Sequence, residues 1–133
     1  MPKKQKKTKI LIVDDEFGIR ELLSDFLETA GYDVKAAKSG EEALLTANKF
    51  LPNLVMLDII LPDLDGVSVY EEIRKKENLS NVPVVFFSTV GSETVPAAFA
   101  RKIKGTPCTF IRKPIKVESL IDEINKLLEN SPD

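Results

Sequence analysis

Ile10-Leu11-Ile12-Val13-Asp14-Asp15-Glu16 sets four consecutive apolar residues directly against three consecutive acids. An apolar run this short, rich in β-branched residues, reads as a strand covered on both faces, which is the habit of parallel sheets. The strand is expected over Lys9–Val13. The acids that follow stand where such a strand ends, at the edge of the core.

Working outward, short apolar runs alternate with helical periods along the chain. Further strands are expected at Tyr32–Ala37, Leu54–Leu57, Val82–Phe87 and Thr109–Arg112. Between the first two, Ile19, Leu22, Leu23, Phe26, Leu27 and Ala30 recur at the spacing of one helical stripe, and Gly31 ends that helix. A second helix opens on the capping box Ser39…Glu42, buries Ala43, Leu44, Ala47, Phe50 and Leu51, and stops at Pro52. A third begins near Asp65-Gly66 and runs to about Lys76, a short fourth is expected within Val95–Lys104, and the last presents Val117, Leu120, Ile121, Ile124, Leu127 and Leu128 on one face. Strict alternation predicts an α/β, doubly wound (βα)5 parallel sheet of flavodoxin-like type with right-handed crossovers. The first, third and fourth strands are nearly all apolar and belong in the centre. Tyr32-Asp33-Val34-Lys35 is mixed and belongs at an edge, so the expected order is 2-1-3-4-5.

Composition narrows what this fold can do. The 133 residues suit a single domain, read here as a basic arm over 1–8, a folded unit over 9–130 and a tail over 131–133. With no histidine and one cysteine, Cys108, the chain cannot use imidazole catalysis, a Cys/His zinc cluster or an internal disulfide. Nineteen basic against 21 acidic side chains, net charge -2, does not mark a nucleic-acid or membrane binder. The lysines at 3, 4, 6, 7 and 9 read as a solvated arm. The first apolar run is too short for a signal sequence and no run is long enough for a membrane span, so the expected location is cytoplasmic.

In an open α/β sheet of this order the ligand crevice lies at the carboxyl ends of strands one and three. There the sequence delivers Asp14, Asp15 and Glu16, then Asp58, then Ser88 and Thr89 after strand four, and Lys113-Pro114 after strand five. Converging aspartates repel one another unless a proton or cation joins them, and Mg2+ favours such oxygen donors. A lysine and a hydroxyl aimed at the same point would clamp phosphoryl oxygens.

Four segments in order, Ile10-Leu11-Ile12-Val13-Asp14-Asp15-Glu16, Leu57-Asp58-Ile59-Ile60-Leu61-Pro62-Asp63-Leu64-Asp65-Gly66, Pro83-Val84-Val85-Phe86-Phe87-Ser88 and Phe110-Ile111-Arg112-Lys113-Pro114, resemble the receiver domains of two-component response regulators. The resemblance implies that Asp58 is the phosphoacceptor, receiving a phosphoryl group from a phosphohistidine on a sensor histidine kinase or histidine phosphotransfer protein. It also implies Mg2+ held by Asp15, Asp58 and the backbone carbonyl of Ile60, with Asp14 acting through water. Lys113 and Ser88 would bind the phosphoryl oxygens, and the Lys113-Pro114 bond would be cis. Ser88 and Phe110 would form the switch that alters the surface of the helix at 95–104, the fifth strand and the last helix. The receiver of that signal would be a downstream effector protein or a fused output domain outside this chain. The resemblance thus points to a signalling domain whose only chemistry is its own phosphorylation and dephosphorylation.

Two departures carry expectations of their own. Ile60 and Val90 are apolar where some receivers place polar groups that orient the attacking water, so autodephosphorylation is expected to be slow. Thr109 stands where one regulator subfamily has an acid in its dimer contact, which argues against that mode of pairing. Competing readings remain at this level. An Asp-nucleophile phosphohydrolase of the haloacid dehalogenase type would need an Asp-x-Asp pattern after strand one. A flavin carrier would need a hydroxyl-rich phosphate loop where this chain has Asp14-Asp15-Glu16. A receiver that is never phosphorylated would act only as an interaction scaffold.

Overall fold

The structure is a computed structural model and describes residues 7–88, 107–114 and 116–129, with the backbone alone at Ser88. Five strands, β1 (Lys9–Val13), β2 (Asp33–Ala37), β3 (Leu54–Asp58), β4 (Val84–Ser88) and β5 (Cys108–Arg112), form one parallel sheet in the order β2-β1-β3-β4-β5. The helices among the described residues are α1 (Phe17–Thr29), α2 (Gly40–Phe50), α3 (Gly66–Arg74) and α4 (Val117–Glu129), with a single 3-10 turn at Glu77–Leu79. The helix expected over 95–104 lies outside the described residues.

Side-chain alternation along each strand sorts the core into two layers. Leu11, Val13, Val55, Leu57, Val84 and Phe86 face α2 and α3, where they meet Ala43, Ala47, Val69, Tyr70 and Ile73. Ile10, Ile12, Leu54, Met56, Val85 and Phe87 face the other way, against Leu23 and Leu27 of α1 and Leu120 and Ile124 of α4. A sheet covered on both faces accounts for the unbroken apolar runs of β1, β3 and β4. The polar β2 is an edge strand, as its mixed composition predicts.

Local signals end the helices largely where the sequence places them. Gly31 takes φ +103° just after α1, and the Ser39 hydroxyl accepts the Glu42 amide at 3.2 Å. The capping box closes one residue early, because the Glu42 carboxylate accepts from the amide of Lys38 rather than that of Ser39. Three expectations are corrected. Leu22 is 56% exposed and Ala30 is also exposed, since α1 ends at Thr29 and its buried stripe runs through Leu23 and Leu27. Leu51 leaves the apolar face of α2 because it caps that helix with φ 50° and is 40% exposed. Strands β2, β3, β4 and β5 begin or end one or two residues from the expected bounds, and α3 stops at Arg74 rather than Lys76. No helix among the described residues is long and apolar enough to cross a membrane.

Candidate functional site

Strand register brings the charged residues together. Val13 pairs with Leu57, so the next residues, Asp14 and Asp58, leave the sheet side by side. Parity puts Asp14 on the face of Ile10 and Ile12, and Asp58 on the face of Leu54 and Met56. Lys113 follows β5, whose Ile111 packs on that same face. Strands lie about 4.8 Å apart, so Lys113 must reach across β4 to meet β3 and β1. Its ammonium does so over Phe87, 5.1 Å from the ring centroid.

There Lys113 Nζ lies 2.7 Å from Asp14 Oδ2, 3.1 Å from Asp58 Oδ2 and 3.5 Å from Glu16 Oε1. The remaining oxygens are held by main chain. Asp14 Oδ1 accepts the Glu16 amide at 2.8 Å, and Asp58 Oδ1 accepts the Ile60 amide at 3.0 Å. Arg20 Nη1 donates to the Asp14 carbonyl at 2.9 Å, tying the first turn of α1 to the end of β1. The N-cap of α1 is neither Asp14 nor Asp15. Glu16 occupies that position and its side chain makes no capping bond. The Lys113-Pro114 bond is cis.

Asp14 is fully buried and Asp58 is 4% exposed, whereas Asp15 and Glu16 are open to solvent. Burial pushes the Asp58 pKa up, and the negative charge of Asp14 adds to this; the Ile60 amide and the Lys113 ammonium pull the other way without winning. Burial alone would lower the Lys113 pKa, but its close contacts with the carboxylates of Asp14 and Asp58 together carry it upward.

Carboxylate oxygens of Asp14, Asp15 and Asp58 all lie within 4.8 Å of one another. Three carboxylates against one ammonium leave two uncompensated negative charges, which one divalent cation would cancel. Asp14 Oδ2 is buried with no aligned hydrogen-bond donor among the described residues, its 2.7 Å contact with Lys113 being an ion pair. Beside this group opens a cleft of roughly 210 Å³ lined by Asp15, Glu16, Asp58, Ile60, Leu61 and Pro62 together with Lys113. The donors are all oxygen, and the exposed side leaves room for the waters that Mg2+ retains, so the residues fit that ion.

Other predicted residues fall as follows. Ser88 is the last residue of β4, level with Arg112 of β5, and Val90 lies outside the described residues. Phe110 is half-buried in β5 and stacked on Phe86, with ring centroids 5.1 Å apart. Ile60 is 57% exposed at the mouth of the cleft. Cys108 sits in β5 within 3.7 Å of an Arg74 guanidinium nitrogen.

Two residues near this framework escaped the sequence reading. Asp63 accepts the amides of Gly40 and Glu41, at 2.8 and 3.0 Å, across 22 to 23 residues of chain. Arg74 binds the carbonyls of Val82 and Leu79, at 2.7 and 3.3 Å, and the Tyr70 hydroxyl at 3.0 Å. The only available signals were an acid in a loop and a cation at a helix end, and neither names its partner.

A doubly wound parallel sheet with a buried Asp–Lys–Asp arrangement and an acidic cleft at its switch point defines an α/β domain of the class that binds its ligands at the carboxyl ends of the strands. The chain belongs to the response regulator receiver domain family, whose profile matches residues 10–125, and so to the signalling proteins of two-component systems. It is 37% identical over 124 residues to the transcriptional regulatory protein CpxR homolog of Haemophilus influenzae, covering 93% of this chain and 52% of that protein. It is 33% identical over 126 residues to the DNA-binding dual master transcriptional regulator RpaA of Synechocystis, covering 92% and 50%. The chemotaxis response regulator CheY4 of Vibrio cholerae superposes with a TM-score of 0.82 at 26% identity, over 92% of this chain and 99% of that one. The chain spans between about a third and a half of the length of the curated relatives it matches.

Proposed function

We propose that this domain, over residues 9–130, is a phosphorylation-dependent switch in which Asp58 accepts a phosphoryl group from a phosphohistidine. The observation that carries the reading is the hold on Asp58: one carboxylate oxygen on the Ile60 amide at 3.0 Å, the other 3.1 Å from Lys113 Nζ, at the wall of an acidic cleft. An Asp58 oxygen attacks phosphorus as the P–N bond of the donor breaks, and the bonding pair returns to the donor imidazole. These 133 residues contain no histidine, so the imidazole lies outside them, on a sensor histidine kinase or histidine phosphotransfer protein. Such donors place the reading in the cytoplasm.

Asp15, Asp58 and the Ile60 carbonyl would hold Mg2+, with Asp14 acting through water, and the bound ion supplies charge neutralisation to the incoming phosphoryl oxygens. Lys113 releases Asp58 Oδ2 and pairs with the transferred group. Ser88 donates its hydroxyl to a phosphoryl oxygen and is drawn inward with the chain that follows it. Phe110 turns further into the space beside Phe86, and the surface around β5 and α4 carries the change to an effector protein or a fused output domain. Ile60 at the cleft mouth offers no polar group to orient water, and Val90 is apolar by sequence, which supports slow loss of the phosphoryl group.

Incubation with acetyl phosphate and Mg2+, followed by intact-mass measurement, tests the reading. One added phosphoryl group is expected, absent with a chelator and absent in Asp58→Asn. No mass change in the wild-type chain overturns it in favour of a scaffold that is never phosphorylated.

A further inference from the structure

The chain between Asp58 and α3 walls one side of the cleft, and its fixing points are unequal. At the α3 end, the Gly66 amide donates to the Ile59 carbonyl at 2.6 Å and Asp65 caps α3 by accepting the Ser68 amide at 2.7 Å. On the opposite side, one side chain reaches to another helix: Asp63 Oδ1 takes the Gly40 amide at 2.8 Å and Oδ2 the Glu41 amide at 3.0 Å. These are free donors of the first turn of α2, where the helix dipole also favours an anion. They hold the Asp63 carboxyl below the usual carboxylate range. Gly40 makes the approach possible, since a Cβ there would come within 2.8 Å of Leu64 Cβ and 2.9 Å of Val69.

From Asp63 back to Ile60 the chain has little freedom. Pro62 has its φ fixed by the ring, and Leu61 is buried in the core layer under α2 and α3. Ile60 in turn gives its amide to Asp58. We infer that Asp63 is a positioning residue, which clamps this loop to the first turn of α2 and thereby keeps the Ile60 backbone in the cleft wall beside Asp58. The inference rests on the functional reading above, in which Ile60 and Asp58 meet the metal ion and the phosphoryl group. Asp63 touches neither; it acts through three residues of stiff chain. Partners that orient metal-binding groups are typically worth about 10- to 100-fold in metal affinity.

Ser39 supplies the control, because its hydroxyl caps the same helix by accepting the Glu42 amide at 3.2 Å. Mg2+ titration of the full chain, followed by the amide signal of Ile60, is expected to show a dissociation constant raised about tenfold in Asp63→Ala. A smaller rise is expected in Asp63→Asn, which keeps one acceptor oxygen, and no change in Ser39→Ala. In the metal-free protein, hydrogen exchange at Gly40, Glu41 and Ile60 is expected to speed up together in both Asp63 variants. Wild-type affinity in Asp63→Ala, or equal weakening in Ser39→Ala, overturns the inference. If Asp63→Ala does not fold, unchanged Mg2+ affinity and unchanged Ile60 exchange in Asp63→Asn overturn it equally. A wild-type chain that binds no Mg2+ overturns the functional reading and this inference with it.

Discussion

Replacing Lys113 by methionine keeps the apolar stem that crosses Phe87 and removes only the charge between Asp14 and Asp58. The ammonium sits 2.7 and 3.1 Å from the two carboxylates, and its side chain is 8% exposed. At an effective dielectric near 20, the two attractions are worth roughly 6 and 5 kcal/mol and the repulsion left between the carboxylates roughly 3 to 4 kcal/mol. The cost of burying the charges takes back much of this. Breaking a buried pair by removing one partner typically costs about 3 to 5 kcal/mol, and the cleft side here is open to water, so a loss of about 3 kcal/mol is expected. The site offers its own remedy. A cation bound at 100 times its dissociation constant stabilises the folded state by about 2.7 kcal/mol, and Lys113→Met should bind it more tightly than the wild type. Urea unfolding of both proteins, with chelator and with saturating Mg2+, reads this directly. The gap between variant and wild type is expected near 3 kcal/mol in chelator and clearly smaller in Mg2+. A gap that Mg2+ leaves unchanged, or no loss in chelator, refutes the electrostatic argument.

Three further outcomes follow from particular contacts. Because burial raises the Asp58 pKa, its ionised form costs stability at neutral pH, and wild-type stability should rise as pH falls through the folded pKa toward 3.8; Asp58→Asn should be the more stable protein without Mg2+ at pH 7, by a margin that shrinks on acidification in urea titrations at several pH values. Gly66→Ala sets a Cβ 2.5 Å from the Asp58 carbonyl oxygen and 2.7 Å from Ile59 Cα, both backbone, so thermal unfolding should show a loss of about 1 to 3 kcal/mol and the Asp58 amide signal should shift. Arg74→Met removes the 2.7 Å donor of the Val82 carbonyl, while the Leu79 carbonyl keeps the Val82 amide, and should cost about 1 to 2 kcal/mol, read as a lower urea midpoint with the slope unchanged.

Where the sequence was legible, a local signal was also the deciding one. Unbroken apolar runs at Ile10–Val13, Leu54–Leu57 and Val82–Phe87 require cover on both faces, and with the mixed Tyr32-Asp33-Val34-Lys35 they order the sheet and name its switch point. The acids at 14, 15 and 58 and the cation at 113 are readable because each lies at the end of a strand or within two residues of it, where register rather than loop geometry sets position. Leu22 and Ala30 were misread because helical periodicity marks a stripe but not its width, and Ala30 falls just past the end of α1. Leu51 carries an apolar side chain at a position whose left-handed backbone turns it outward. Asp63 and Arg74 bind main-chain groups on other elements, and a backbone amide or carbonyl leaves no mark in a sequence. An acid in the loop five residues after the end of β3 and a helix that opens on Ser39-Gly40 are compatible with the Asp63 contact, but they do not select it.

The central claim concerns one side chain, and reductive trapping examines it directly. The chain is treated with acetyl phosphate and Mg2+, reduced with borohydride, which converts an acyl phosphate to an alcohol, and mapped by peptide mass spectrometry. Homoserine at position 58 and at no other aspartate is the predicted result. An unmodified Asp58, or reduction at Asp14 or Asp15 instead, contradicts the account.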